Sequence, residues 1–219
     1  MVEKSTGGLS KRYTGDQIDV TYNVRRCIHA QECVKRLPAV FDRESRPWVR
    51  ADAASPDQIA EVILACPSGA LHFERKDDGI EEAASSEASI LLWENGPLQI
   101  QGDLSISGTE IEMEETRVTL CRCGESTNKP FCDNSHLKTG FHSEDMYQST
   151  IQELEGESSR LAIDLEPNGP YVVSGSVHIY NHAGDLLFAG DRVKLCRCGY
   201  SHTRPFCDGT HLTNQFQAE

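Results

Sequence analysis

Two stretches of this chain place cysteine and histidine in the same frame. "CRCGESTNKPFCDNSH" begins at Cys121 and "CRCGYSHTRPFCDGTH" at Cys196, and both read C-x-C-x8-C-x3-H. Cysteines one residue apart in an extended segment project to the same side, so Cys121 with Cys123, and Cys196 with Cys198, can hold one metal atom together. A cysteine and a histidine four residues apart share a helical face, which pairs Cys132 with His136 and Cys207 with His211. Two irons, each held by one pair, fit this arrangement. On ligand count alone, a structural Cys3His zinc site fits as well. Pro130 and Pro205 stiffen the turn between the pairs. Asp133 and Asp208 are placed to cap the short helix that follows. Gly209 suits a close backbone approach or a positive φ.

The chain has nine cysteines, and three remain. Cys27 and Cys33 stand six apart in "CIHAQEC", and Cys66-Pro67 closes a predicted helix. Bacterial ferredoxins space their ligands C-x2-C-x2-C with a remote Cys-Pro, but here the middle position is Ala30. Three thiolates suit a [3Fe–4S] cluster; a [4Fe–4S] cluster would need a fourth donor, for which His29 is the nearest option. The alternative is a buried, metal-free trio, which a Cys-Pro closing a helix with the paired cysteines upstream argues against. His72, His142, His178, His182 and His202 fit no ligand spacing and read as surface or core, and Trp48 and Trp93 as packing residues.

The elements that must position these residues repeat too. Residues 118–136 and 193–211 align without a gap at an offset of 75, with 12 of 19 identical. Upstream, "ENGPLQIQGDLSIS" echoes "PNGPYVVSGSVHIY", so each copy reads as a turn, two alternating strands and the cysteine frame. In the first ninety residues "QIDVTYN" reads as a strand. "SPDQIAEVILACP" reads as a helix with Ser55 at the N-cap and Gln58 in capping-box position. Glu74 to Ser89 has the composition of a linker, open to a short helix around Ile80 to Ala84.

The net charge is −13, with −3 on residues 1–90 and −10 on residues 91–219. That balance argues against nucleic acid or an anionic membrane as partner. No run of about 18 apolar residues occurs, so no membrane insertion is expected. The first residues lack the apolar core of a secretory signal. A cytoplasmic, reducing location follows, where cysteines serve as ligands more often than as disulfides. No phosphate loop or nucleophile–base pair is evident, so the chain is not expected to be an enzyme.

The repeated frame, extended to C-x-C-x2-S-x3-P-x-C-D-G-x-H, resembles the CDGSH iron–sulfur (NEET) family, with Ser126 and Ser201 at the family's hydroxyl position. The resemblance implies one [2Fe–2S] cluster on Cys121, Cys123, Cys132 and His136 and a second on Cys196, Cys198, Cys207 and His211. Two motifs in one chain resemble the double-CDGSH branch, which implies an internal pseudo-dimer and a monomeric chain. Residues 12–74 resemble the divergent mono-cluster ferredoxin-like domain, which implies one cluster, [3Fe–4S] or alternatively [4Fe–4S], on Cys27, Cys33 and Cys66. The expected fold is α+β: a ferredoxin-like domain at 1–78, a linker at 79–90 and β-rich CDGSH modules at 91–146 and 147–219. The expected function is electron carriage to a redox partner protein. The alternatives are cluster storage or transfer to an apo iron–sulfur acceptor protein, redox or pH sensing through the histidines, and a structural zinc module. Arg122 and Arg197, each between paired cysteines, are candidates to offset cluster charge. Asn134 replaces the family's glycine, so the first cluster is expected to be the more labile.

Overall fold

The computed structural model describes residues 10–108, 110–144 and 160–218. It divides into two compact units, Met1–Ala83 and Ala84–Glu219, each with its own apolar core. The chain is mostly β with few helices. Among the described residues no helix is long and apolar enough to cross a membrane.

In the first unit β1 (Ser10–Tyr13), β2 (Ile18–Asn23) and β3 (Leu71–Arg75) form an antiparallel sheet with β2 central. Between β2 and β3 lie α1 (Glu32–Arg36) and α2 (Pro56–Leu64). The capping box forms as the sequence predicts: Ser55 Oγ accepts from the Gln58 N–H at 3.3 Å, and Gln58 Oε1 accepts from the Ser55 N–H at 3.2 Å. The helix buries Ile59, Ala60, Val62 and Ile63, and its C-cap Ala65 delivers the chain to Cys66. No helix forms at Ile80 to Ala84. There Glu82 accepts from the Phe73 N–H at 3.0 Å and meets the His72 ring at 2.8 Å, so tertiary contacts replace local helical bonds.

The second unit is a six-stranded sheet made of two equivalent three-stranded sets. The first set is β4 (Ser89–Leu92), β5 (Leu98–Ser107) and β6 (Glu112–Leu120). The second is β7 (Arg160–Leu165), β8 (Tyr171–Tyr180) and β9 (Leu186–Leu195). Within each set the pairing is antiparallel. Between sets it is parallel and reciprocal: β4 adds to β8, and β7 adds to β5. The long strands make room for two neighbours by breaking register, β5 after Gln101 and β8 after Ser174. Gly102 and Gly175, at φ +136° and +120°, occupy the breaks. A Cβ on Gly175 would lie 2.3 Å from the Arg160 carbonyl oxygen, so only glycine lets β7 approach. Residues buried from both sets, among them Ile90, Ile100, Ile106, Ile163, Val173 and Ile179, form one core. The strand β4 begins at Ser89, inside the stretch whose composition reads as a linker.

Candidate metal centres

The strands β6 and β9 each run directly into a cysteine frame. At the close of β6 the Cys121 N–H donates to the Pro130 carbonyl at 2.8 Å, and the Cys132 N–H to the Thr119 carbonyl at 3.0 Å. At the close of β9 the Cys196 N–H donates to the Pro205 carbonyl at 2.8 Å, and the Cys207 N–H to the Lys194 carbonyl at 2.9 Å. These bonds fold each loop back, so that its late cysteine sits beside its early pair. The serine hydroxyls pin the loops from inside: Ser126 donates to the Phe131 carbonyl at 2.7 Å and Ser201 to the Phe206 carbonyl at 2.6 Å.

The paired side chains meet as their spacing predicts. Cys121 and Cys123 sulfurs are 3.6 Å apart, and Cys196 and Cys198 sulfurs 3.7 Å. The Cys132 sulfur lies 3.6 Å from His136 Nδ1, and the Cys207 sulfur 3.4 Å from His211 Nδ1. Two sulfurs on one tetrahedral ion, with bonds of ~2.3 Å, would be about 3.8 Å apart. Each pair thus has the bite of one metal atom. Among the described residues no three His, Cys, Asp or Glu side chains converge on a single ion position.

Electrostatics split the donors rather than favouring all of them. Each close cysteine pair shares a proton, so one sulfur, Cys121 or Cys198, ionises more readily than a free thiol and its partner less readily. Burial pushes Cys132 up to about 12. Burial, and then the Arg122 charge, hold His136 below its ordinary range, leaving a neutral ring with a lone pair to offer.

Asp133 and Asp208 do not cap the histidine turns as expected: the N-cap positions fall to Ser135 and Gly209, with no side-chain cap bond, and the aspartates brace the loops instead. Asp133 accepts from the Ser135 N–H at 3.0 Å and from the Thr127 N–H at 2.8 Å. Asp208 accepts from the Thr210 N–H at 3.0 Å and the His202 N–H at 2.8 Å. Each aspartate ties the histidine turn to the far side of its loop. The histidine turns differ: α3 (His136–Thr139) is one short α-turn, and Thr210–Leu212 is a 3₁₀ turn. Asn134 takes φ +68° where Gly209 takes +87°, so the asparagine adopts the left-handed geometry that the frame requires. The expected weakness of the first site is not visible in its packing. Cys132 and His136 are buried, whereas Cys207 and His211 are half-buried.

Three features are absent from the sequence reading. Gly124 and Gly199, at φ +81° and +83°, bring the two loops into contact, since a Cβ on either would lie 2.2 Å from the carbonyl oxygen of Cys198 or Cys123. Tyr171 is fully buried, and its hydroxyl donates to the Cys121 carbonyl at 2.8 Å. Phe141 lies under Arg122 and, from the other half, Arg204; Phe216 packs with Cys196 and Cys198 of its own frame and lies under Lys129 of the other half. The glycine's repetition in both "CRCG" stretches was the available signal for the first. The aromatic covers lie outside the aligned frame.

In the first unit Cys27 follows a 3₁₀ turn, Cys33 lies in α1, and Cys66 follows α2. Arg26, buried beside Cys27, donates to the Ser68 carbonyl at 3.1 Å and so ties Cys27 to the Cys66-Pro67 loop. The connection to Cys33 turns through His29 and Gln31 at φ +56° and +67°, a geometry that concentrates at binding sites. All three cysteines line a small, partly open cavity of about 30 Å³ with Tyr22, Trp48 and Pro67. Cys27 and Cys33 also border an open cleft of about 330 Å³ that His29, Arg43 and Arg46 share. Trp48 packs as expected, its ring edge-on to Tyr22 at 4.8 Å. Burial pushes the Cys33 thiol up to about 11, with Cys66 adding to it. The convergence of three half-buried thiols on one cavity fits a multi-thiolate centre.

Comparison with known proteins agrees with this geometry. The family model described as "Iron-binding zinc finger CDGSH type" matches residues 95–137 and again 168–212. The one described as "Divergent 4Fe-4S mono-cluster" matches residues 13–76. Over 64 residues, 29% of this chain, the sequence is 38% identical to the uncharacterised protein YjdI of Escherichia coli K12, covering 84% of YjdI. The O157:H7 protein matches equally. With the six cysteines and two histidines of the frames inside the CDGSH matches and Cys27, Cys33 and Cys66 inside the other, the chain belongs to the CDGSH iron-binding family, as a double-CDGSH iron–sulfur protein with an N-terminal divergent mono-cluster domain.

Proposed function

We propose that the protein carries electrons between redox partners. It would do so through two Cys3His [2Fe–2S] clusters and a [3Fe–4S]-type N-terminal cluster, as a monomeric cytoplasmic carrier rather than an enzyme. The observation that carries this reading is the split of each frame into two close pairs. Two pairs suit two metal atoms, whereas a zinc ion would draw four donors to one point. Cys121 with Cys123 and Cys132 with His136 would hold the first cluster. Cys196 with Cys198 and Cys207 with His211 would hold the second, and Cys27, Cys33 and Cys66 the N-terminal one. Bound clusters supply one-electron redox chemistry. The chain's own part is to hold the donors at fixed separation and limit water. Asp133 and Asp208 orient the histidine turns, Ser126 and Ser201 hold the loops, and Phe141 and Phe216 cover them.

The half-buried Cys207 and His211 favour a second reading, cluster donation to an apo acceptor, because those donors are open to exchange. Anaerobic purification with iron and sulfide counting tests the first claim. About seven irons per chain are expected from two [2Fe–2S] and one [3Fe–4S], and stoichiometric zinc without acid-labile sulfide would overturn it. Mixing oxidised protein with an apo-ferredoxin separates the two roles. A carrier keeps its absorbance and, once reduced, passes electrons to a ferredoxin-type acceptor; a donor loses absorbance to the apo-protein.

A further inference from the structure

The chain is acidic, yet the segment that holds two of the N-terminal cysteines is not. Residues 24–50 carry seven Lys or Arg and three Asp or Glu, a net of +4 in a chain of −13. Two of those arginines, Arg43 and Arg46, are exposed and border the open cleft of about 330 Å³ that Cys27 and Cys33 also line. Tyr22, Val34 and Trp48 give the cleft an apolar wall, and no Asp or Glu lines it. The acidic residues of the segment do not neutralise the two arginines. Asp42 is engaged by Ser45 and, at 3.8 Å, by Arg50, while Glu32 and Glu44 stay outside the cleft walls. Arg46 is braced through Nη1, which donates to the Arg43 carbonyl at 2.9 Å and the Ser45 carbonyl at 2.7 Å. Among the described residues neither arginine has a carboxylate partner, whereas Arg12, Arg36, Arg50 and Arg75 of the same unit are ion-paired.

Arginine and aromatic side chains without carboxylates are the composition of a protein-binding face. Its charge selects the partner, drawing a negative surface and turning a positive one away. Two arginines are too few for nucleic acid, whose binding takes on the order of six or more phosphate contacts. We propose that this cleft is the docking face for an acidic redox partner protein, whose carboxylates pair with Arg43 and Arg46, and that electrons enter or leave the chain at the N-terminal centre. Because Cys27 and Cys33 line the same cleft, a docked partner stands next to two of the three donors. The net of −10 on residues 91–219 turns an acidic partner away from the CDGSH centres. In the exchange one side gives up one electron and the other gains it, and no bond forms or breaks.

The inference rests on reading Cys27, Cys33 and Cys66 as an iron–sulfur centre. Its test uses the full-length protein and, as probe, a reduced plant-type [2Fe–2S] ferredoxin, an acidic low-potential donor. Rapid freezing and EPR follow how fast the oxidised N-terminal centre is reduced. The rate is expected to fall about tenfold or more between roughly 20 and 200 mM NaCl, because screening removes the attraction. Arg43→Glu, whose side chain makes no bond among the described residues, should slow the low-salt reaction about tenfold and flatten its salt dependence. Arg192→Glu, the same change of charge on exposed β9 surface, should leave the rate within about twofold. Arg46→Gln should slow the reaction and Arg46→Lys restore it; if Arg46→Gln loses its cluster, Arg43→Glu decides alone. The proposal is overturned if the wild-type rate ignores salt, or if Arg43→Glu and Arg192→Glu behave alike. It is also overturned if inorganic phosphate blocks the reaction where NaCl of equal ionic strength does not, which would make the cleft a small-anion site. An iron and sulfide count that accounts for the two CDGSH clusters alone would instead sink the reading of the N-terminal centre.

Discussion

Gly124 and Gly199 are the residues on which the paired loops depend. Each combines a positive φ with a backbone oxygen where a Cβ would go, so two penalties add. Gly124→Ala or Gly199→Ala should cost on the order of 3 kcal/mol or more, from left-handed strain plus a clash with backbone that cannot swing away. Gly209→Ala meets no atom within 4 Å and should cost only the φ term, about 1–2 kcal/mol. Urea unfolding of the three variants checks the order, and equal losses would show that the loops are not held in contact. Asn134 gives the opposite expectation. Because it already adopts φ +68°, Asn134→Gly should leave retention of the first cluster nearly unchanged. The decay of visible absorbance on mild acidification measures this. A large gain in retention would restore the view that asparagine weakens the site.

At the scale of elements, the N-terminal sheet is stitched by Asp19 on β2. Its carboxylate meets Arg12 Nη2 on β1 at 2.6 Å and Lys76 Nζ, just past β3, at 2.7 Å, and it accepts from the Gly15 N–H at 3.2 Å. Burial alone would raise this carboxyl; the bonds from Lys76, Arg12 and Gly15 outweigh it and hold the group below the usual carboxylate range. The folded state thus binds the Asp19 proton less readily than the unfolded chain does. The stability it contributes is present above the ordinary carboxylate pKa of about 4 and is lost as pH falls through the lower folded value. Asp19→Asn should cost about 1–3 kcal/mol at neutral pH and flatten the acid limb of the stability curve for this unit. An unchanged acid limb would assign the acid sensitivity elsewhere. In the second unit the reciprocal addition of β4 to β8 and β7 to β5 means that neither three-stranded set completes its sheet alone.

At the scale of the molecule, two separate cores predict two separable units. A chain of residues 84–219 should fold and retain both CDGSH clusters, with cooperative unfolding. A chain cut within the second unit, such as 91–146, should not, because it truncates β4 and lacks β7, which pairs with β5, and β8, which pairs with β4. Iron content and circular dichroism of the two fragments distinguish these outcomes. Stable cluster binding by 91–146 would contradict the shared sheet.

The ligand pairs and the helix of residues 56–64 were legible in the chain itself, because both follow from local periodicity: side chains two apart on a strand, four apart on a helical turn, a serine and glutamine three apart at a cap. The duplicated frame likewise announced two equivalent sites. What local spacing cannot encode is which strand adds to which. The parallel pairing of β4 with β8 and of β7 with β5 joins residues about 60 to 90 positions apart. The same long-range packing decided the features that separate the two sites. Tyr171 reaches the Cys121 carbonyl from another strand, and Trp93 and Gly96 satisfy Arg122 from the β4–β5 turn. Identical frames are identical only in their own atoms; burial and charge compensation come from what the rest of the fold sets against them, and that is a property of the tertiary structure.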